Sequence, residues 1–255
     1  MGKIAKAKYI IGLVSVLAVL SGFASGGRAY AQEPPVNDSI MYGIIDSKSP
    51  YYYPALMMRY KEGDTTLTLE DYRHLYYGYA WQSGYKPFET PPAKDQLMMM
   101  FGENMDIYAQ DPAKILACCL EIMETEPFNP STVNMMTYAY GQLGDTINER
   151  ASARRLEMIV ETIKSTGTGL KENSAWHVLY FPHATELMAF MDLQYKRPEI
   201  VSRTVEYIEI LLPKERTKGY YFDYGRIYWF VPDKLPERTH PGWTINGIIP
   251  LGKRR

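Results

Sequence analysis

The sequence predicts an α+β protein in which N-terminal antiparallel helical hairpins pack with a small C-terminal antiparallel sheet. Three observations carry that expectation. Between Thr68 and Ile163, apolar residues recur at three- and four-residue spacing, as in helices with one buried face. Past Gly169 the composition shifts toward Val, Ile, Tyr and Trp in short runs. The 255 residues are 46% hydrophobic and hold only two cysteines, which are adjacent, so a core rather than a disulfide framework must hold the chain.

The first 31 residues read as a secretory signal peptide. Lys3, Lys6 and Lys8 precede an apolar run from Ile10 to Leu20, and Ala29-Tyr30-Ala31 offers small residues before a cut. That run is shorter than the roughly 20 residues a spanning helix needs, which disfavours an uncleaved anchor. No cysteine stands near the cut to accept a lipid, so a periplasmic or extracellular protein that is not a lipoprotein is expected. Cleavage would remove Lys3, Lys6, Lys8 and Arg28 and no acid, taking the net charge from −1 to −5. Such a charge excludes a global attraction to nucleic acid. The basic end, Lys253-Arg254-Arg255, reads as a frayed tail.

Residues 32–50 are polar and read as a flexible lead-in; the helical part spans 51–169, a small α/β part 170–232, and an extension 233–255. Thr68 with Asp71 forms a capping box before Tyr72, Leu75, Tyr76 and Tyr79, and Gly84 should stop that helix. A second helix opens near Pro92 with Leu97, Met100, Phe101, Met105 and Tyr108. Asp111-Pro112 and Asn129-Pro130 each pair an N-cap with proline at the first helical position. The helices they open run to Pro127 and to Gly144, and a fifth carries Leu156, Ile159 and Ile163. Cys118 and Cys119 fall on the third helix as free thiols. Trp176 to Phe181 reads as a buried strand and His183 to Tyr195 as a helix. Thr204 to Leu212 and Tyr220 to Tyr224 read as hairpin strands, although Val201, Thr204, Val205, Ile208 and Leu212 also fit a helical stripe.

Leu120 through Asp145 is similar to tetratricopeptide-repeat material. Pro127 ends one helix, and Met136, Thr137, Tyr140 and Gly144-Asp145 fill the places of the next. The alanine expected shortly after that turn is delayed to Ala151, so one degenerate repeat and a plain helical hairpin both remain open. Over nearly the whole mature chain a wider likeness holds. Ser49-Pro50-Tyr51-Tyr52-Tyr53-Pro54, the Gly63-Asp64 turn, Tyr72 to Tyr79, and Tyr220-Tyr221-Phe222-Asp223 with Arg226 resemble domain of unknown function family 4919. The resemblance implies an exported Bacteroidales protein of helices and sheet, and brings no activity, cofactor or catalytic residue with it.

No H-E-x-x-H, G-x-S-x-G, Walker A or G-x-G-x-x-G pattern occurs, and no cofactor is expected. His183 and Glu186 stand one helical turn apart and could offer two metal ligands, with His177 or Asp192 as a third; a solvated helix start explains them better. His74 reads as a core or rim residue. The acids around Gly63 read as turn and cap formers, and Glu121, Glu124 and Glu126 as a solvated face. Among 22 tyrosines and four tryptophans, Tyr51, Tyr52 and Tyr53 with Tyr76 and Tyr77, and Tyr221 with Trp229, could line a binding surface; packing is the blander account. The expected function is thus a non-catalytic envelope module recognising a peptide or protein. A metal-dependent hydrolase and a glycan-binding protein are the alternatives.

Overall fold

Side chains at the chain's punctuation marks decide where its helices begin. The computed structural model describes residues 32–101, 110–214 and 217–230. Its helices are α1 (Asn37–Ile45), α2 (Tyr53–Lys61), α3 (Leu69–Gly78), α4 (Pro92–Phe101), α5 (Pro112–Thr125), α6 (Pro130–Gln142), α7 (Thr146–Lys164) and α8 (Phe181–Phe190). Thr68 caps α3 in a complete box: its hydroxyl accepts from the Asp71 N–H at 3.2 Å, and Asp71 accepts from the Thr68 N–H at 2.8 Å. Asp111, Asn129 and Asp145 cap α5, α6 and α7 by accepting from Ala113, Thr132 and Asn148 N–H groups. Gly144, at φ +76°, supplies the left-handed turn between α6 and α7.

The helices from α4 to α7 pack each on its successor, and the short connections from α5 to α6 and α6 to α7 make those pairs antiparallel. Helix α3 runs through the middle, against α7 on one side and α1 and α2 on the other. Its burial is nearly complete: Leu75, Tyr76 and Tyr77 are 0% exposed. Their hydroxyls find partners across the fold, with Tyr77 donating to the His177 carbonyl at 3.0 Å. Tyr60 donates to the Pro127 carbonyl, and Tyr85 to that of Leu179. Tyrosine recurs in this core because each ring brings both apolar area and a polar tie. Both cysteines are free, and Cys119 is buried.

Four strands form the sheet: β1 (Trp176–His177), β2 (Glu199–Ile200), β3 (Val205–Lys214) and β4 (Thr217–Asp223), in spatial order β1-β4-β3-β2. The β3–β4 hairpin pairs Tyr207 with Tyr221 and Val205 with Asp223, which settles β3 as a strand rather than a helical stripe. The sheet is mixed, where an antiparallel one was expected: β1 pairs parallel to β4, Trp176 opposite Phe222. The crossover through α8, β2 and β3 allows that direction, since parallel neighbours need a long connection. The apolar run from Trp176 keeps only two residues in the sheet. Phe181-Pro182 instead open α8, where proline suits a first turn.

Two further expectations need correction. Residues 37–45, read as part of a lead-in, form α1 and bury Ile40 and Ile44. The helix after Thr68 ends at Gly78, and a 3-10 turn (Tyr79–Trp81) precedes Gly84. Helix α2 was not foreseen. The proposed signal peptide, Met105, Tyr108 and the 233–255 extension lie outside the described residues. One cluster of buried apolar side chains runs from Ile40 to Ile227, joining helices and sheet. Among the described residues no helix is long and apolar enough to cross a membrane.

Candidate functional site

His183 is sealed in the interior, with Glu186 half-buried one turn on, rather than standing at a solvated helix start. The start of α8 presses on α3, and His183 is 0% exposed. The Leu179 N–H donates to the Tyr76 hydroxyl oxygen at 3.3 Å. That hydroxyl and His183 Nδ1 stand 2.7 Å apart in a hydrogen bond whose donor depends on the ring tautomer, and the buried Nε2 has no partner. Burial, with Lys94 nearby, pushes His183 down to about 3. Glu186 accepts from Asn129 Nδ2 at 3.3 Å, while its buried Oε2 has no partner. Burial pushes Glu186 up to about 7; Lys94 opposes this and the Glu126 charge adds to it. Asn129 Nδ2 also donates to Glu126 at 3.1 Å, and Lys94 pairs with that same carboxylate.

His177 belongs to another neighbourhood. It sits opposite Asp223 in the β1–β4 pair, and burial pushes it down to about 4, against Asp223 and with Arg226 and Arg73. Asp192 is exposed beyond α8. The proposed third ligands thus lie apart from His183 and Glu186. Among the described residues no group of three or more His, Cys, Asp or Glu side chains is arranged to hold a metal.

Nor do the aromatic residues make one platform. Tyr53, Tyr76 and Tyr77 are core residues. Half-buried Tyr51 stacks on buried His74, ring centroids 3.8 Å apart and planes within 6°. Tyr52 is half-buried too, and Tyr221 rests on Tyr207. Trp229, 45% exposed, meets the edge of Trp81.

What the fold does build is a cleft of about 330 Å³ between α1, the start of α3 and the end of α7. Ser39, Ile40, Leu69, Glu70, Arg73 and Ser165 line it, and residues 33–36 pass along it as an extended strap. The strap is held through its main chain. Its Glu33 N–H donates to the Ser165 carbonyl at 3.0 Å, and Arg73 donates to the Glu33 carbonyl at 3.0 Å and to the Ser165 hydroxyl at 2.6 Å. Arg226 Nη2 donates to the Pro35 carbonyl at 3.4 Å and to Asn37 Oδ1 at 2.5 Å. Pro35 is buried while Glu33, Pro34 and Val36 are exposed.

Arg226 itself is 5% exposed. Its guanidinium lies 4.8 Å over the Tyr77 ring and 5.4 Å over that of Trp229, and its Nε has no partner. Sequence reasoning passed over Arg73 and the strap. The one signal it held was Arg226, standing three residues past Asp223 in the family-like segment.

No curated protein and no solved structure matches the chain. A family profile, domain of unknown function DUF4919, matches residues 38–229, so it takes in α1 to the final turn, with Arg73, Ser165 and Arg226, and leaves out the strap before Asp38. With three quarters of its length inside that match, the chain belongs to the DUF4919 family.

Proposed function

We propose that the protein is an exported, non-catalytic binding module of the cell envelope that takes an extended peptide segment in the cleft between α1, α3 and α7. One observation carries this reading. The chain already holds an extended segment there, residues 33–36, chiefly through backbone N–H and carbonyl groups that any peptide possesses. Main-chain recognition gives affinity without demanding a sequence, and the neighbouring cleft leaves room for side chains. The complete burial of His183 favours binding over a hydrolase built on it and half-buried Glu186, because a reaction needs its groups within reach of a substrate.

Panning a displayed hexapeptide library against the intact mature chain tests the reading. Binders are expected to be enriched and then lost in Ser39→Trp, whose indole fills the cleft. A library that enriches nothing, or binders indifferent to that variant, overturns it. Export has its own check: Edman sequencing of the protein recovered from expressing bacteria should begin at Gln32.

A further inference from the structure

We propose that the strap groove is a recognition site for an acidic extended peptide, held shut in cis by Asn37, which occupies half of a carboxylate-binding fork on Arg226. The inference rests on the peptide-binding reading above and names the chemistry of its partner.

The argument starts from the guanidinium. Nε and Nη2 share one edge of the arginine plane, the edge that takes both oxygens of a carboxylate in parallel. Here Nη2 donates to Asn37 Oδ1, with the Pro35 carbonyl at longer range, while the adjacent Nε is buried and unpartnered. An amide offers one acceptor oxygen to that edge; a carboxylate offers two and a charge. Among the described residues no carboxylate lies within ion-pair distance of Arg226. Asp223, the acid of its own turn, spends Oδ1 on the Gly225 N–H at 2.6 Å. A buried cation whose direct contacts are a carbonyl, an amide oxygen and two aromatic rings, with Asp223 acting on it only at longer range, is under-compensated, and a single orphaned N–H is what a second carboxylate oxygen would fill.

The rest of the groove agrees. Arg73 adds a second guanidinium on the same strap, and its partners there are also neutral: a carbonyl and a hydroxyl. Glu70 is the acid nearest Arg73, 3.7 Å from its Nε, and remains half exposed. Two arginines reading a carbonyl pair and one short polar side chain define an extended ligand with an acidic residue at the Asn37 position. The strap competes by being tethered: it runs directly into α1, which gives it a high effective concentration, so it screens out peptides that lack the acid. A ligand must outbid it with the bidentate charged contact, and its apparent affinity is reduced by the closed fraction.

Fluorescence anisotropy with two labelled hexapeptides tests this on the intact mature chain. Both copy residues 33–38, one as they stand and one carrying aspartate in place of Asn37. The aspartate probe is expected to bind Asn37→Ala at least tenfold tighter than wild type, because the cis competitor has lost its side-chain contact. It should also bind that variant at least tenfold tighter than the asparagine probe does. Asn37→Asp, which completes the fork in cis, should show no measurable binding and a raised Tm. Because aspartate at a helix start also favours the dipole, the Tm gain must vanish in an Arg226→Lys background. Should Arg226→Lys fail to fold, the probe preference and the contrast between N37A and N37D decide alone. Equal binding of the two probes overturns the acidic-peptide inference and leaves the peptide reading standing. No binding of either probe to N37A, in a protein that selects other hexapeptides, overturns it as well; no peptide binding of any kind removes both.

Discussion

Glu186 and His183 stand one turn apart on α8, and burial drives their proton equilibria in opposite directions. Glu186 rises from 4.5 to about 7, so between those values the folded protein keeps a proton that the unfolded chain has lost. Its contribution to stability is therefore whole below about pH 4.5 and is lost by about pH 7. His183 falls from 6.5 to about 3, so the unfolded chain takes up a proton below about pH 6.5 and stability grows as pH rises toward that value. His177 acts in the same sense. Glu186→Gln should consequently gain stability relative to wild type as pH rises from 5 to 7, by at most about 1.4 kcal/mol per pH unit. Urea unfolding at stepped pH measures that difference, and a constant offset between the two proteins would contradict the buried proton. Tyr76→Phe strips the His183 Nδ1 and the Leu179 N–H of a partner at once; a loss of about 1–3 kcal/mol is expected in the same assay.

At the scale of elements, caps of equal chemistry differ in worth. Asp145 caps α7 in solvent, and Asp145→Ala should cost about 1 kcal/mol. Asn129 caps α6 from the interior and also donates to Glu126 and Glu186, so Asn129→Ala should cost clearly more, about 2–4 kcal/mol, by thermal unfolding. Similar costs would show the carboxylate bridge to be idle. Caps also explain which elements the sequence disclosed. Helices α3, α5, α6 and α7 announce themselves because a side-chain cap, a proline or glycine, and an apolar stripe agree. Helices α1 and α2 have no side-chain cap, and α1 buries only Ile40 and Ile44, too few repeats to make a period. The sheet's parallel pair was illegible for another reason. Two residues at Trp176 carry no record of direction, which is set by everything the chain does before Phe222. Arg73 escaped notice, and Arg226 was noticed only as part of a family-like segment, because their meaning lies in partners far along the chain, 189 residues away in the case of Asn37.

For the molecule as a whole, that long-range tie closes the chain on itself. The first described residues lean on the turn after the last strand, and α3 runs beneath both through Tyr77 and Arg73. Pulling the strap away should loosen both ends together. In Asn37→Ala, hydrogen exchange is expected to speed at the Glu33 amide and at Ile227 alike, with α6 amides unchanged; a change at one end only would mean the ends are independent. The single core cluster running from Ile40 to Ile227 fits such shared behaviour.

The tyrosine-filled interior carries a final consequence, for alkaline solution. Tyr72 and Tyr79 are pushed up to about 12 by burial, and Tyr60, Tyr76 and Tyr77 further still. Raised values of this kind mean that folding is favoured below about pH 10 and progressively undermined above it. Surface phenols will ionise smoothly, while the enclosed ones stay dark in the ultraviolet until the fold gives way. The protein then carries its own optical fuse: phenolate absorbance should climb gently with base and jump where circular dichroism collapses.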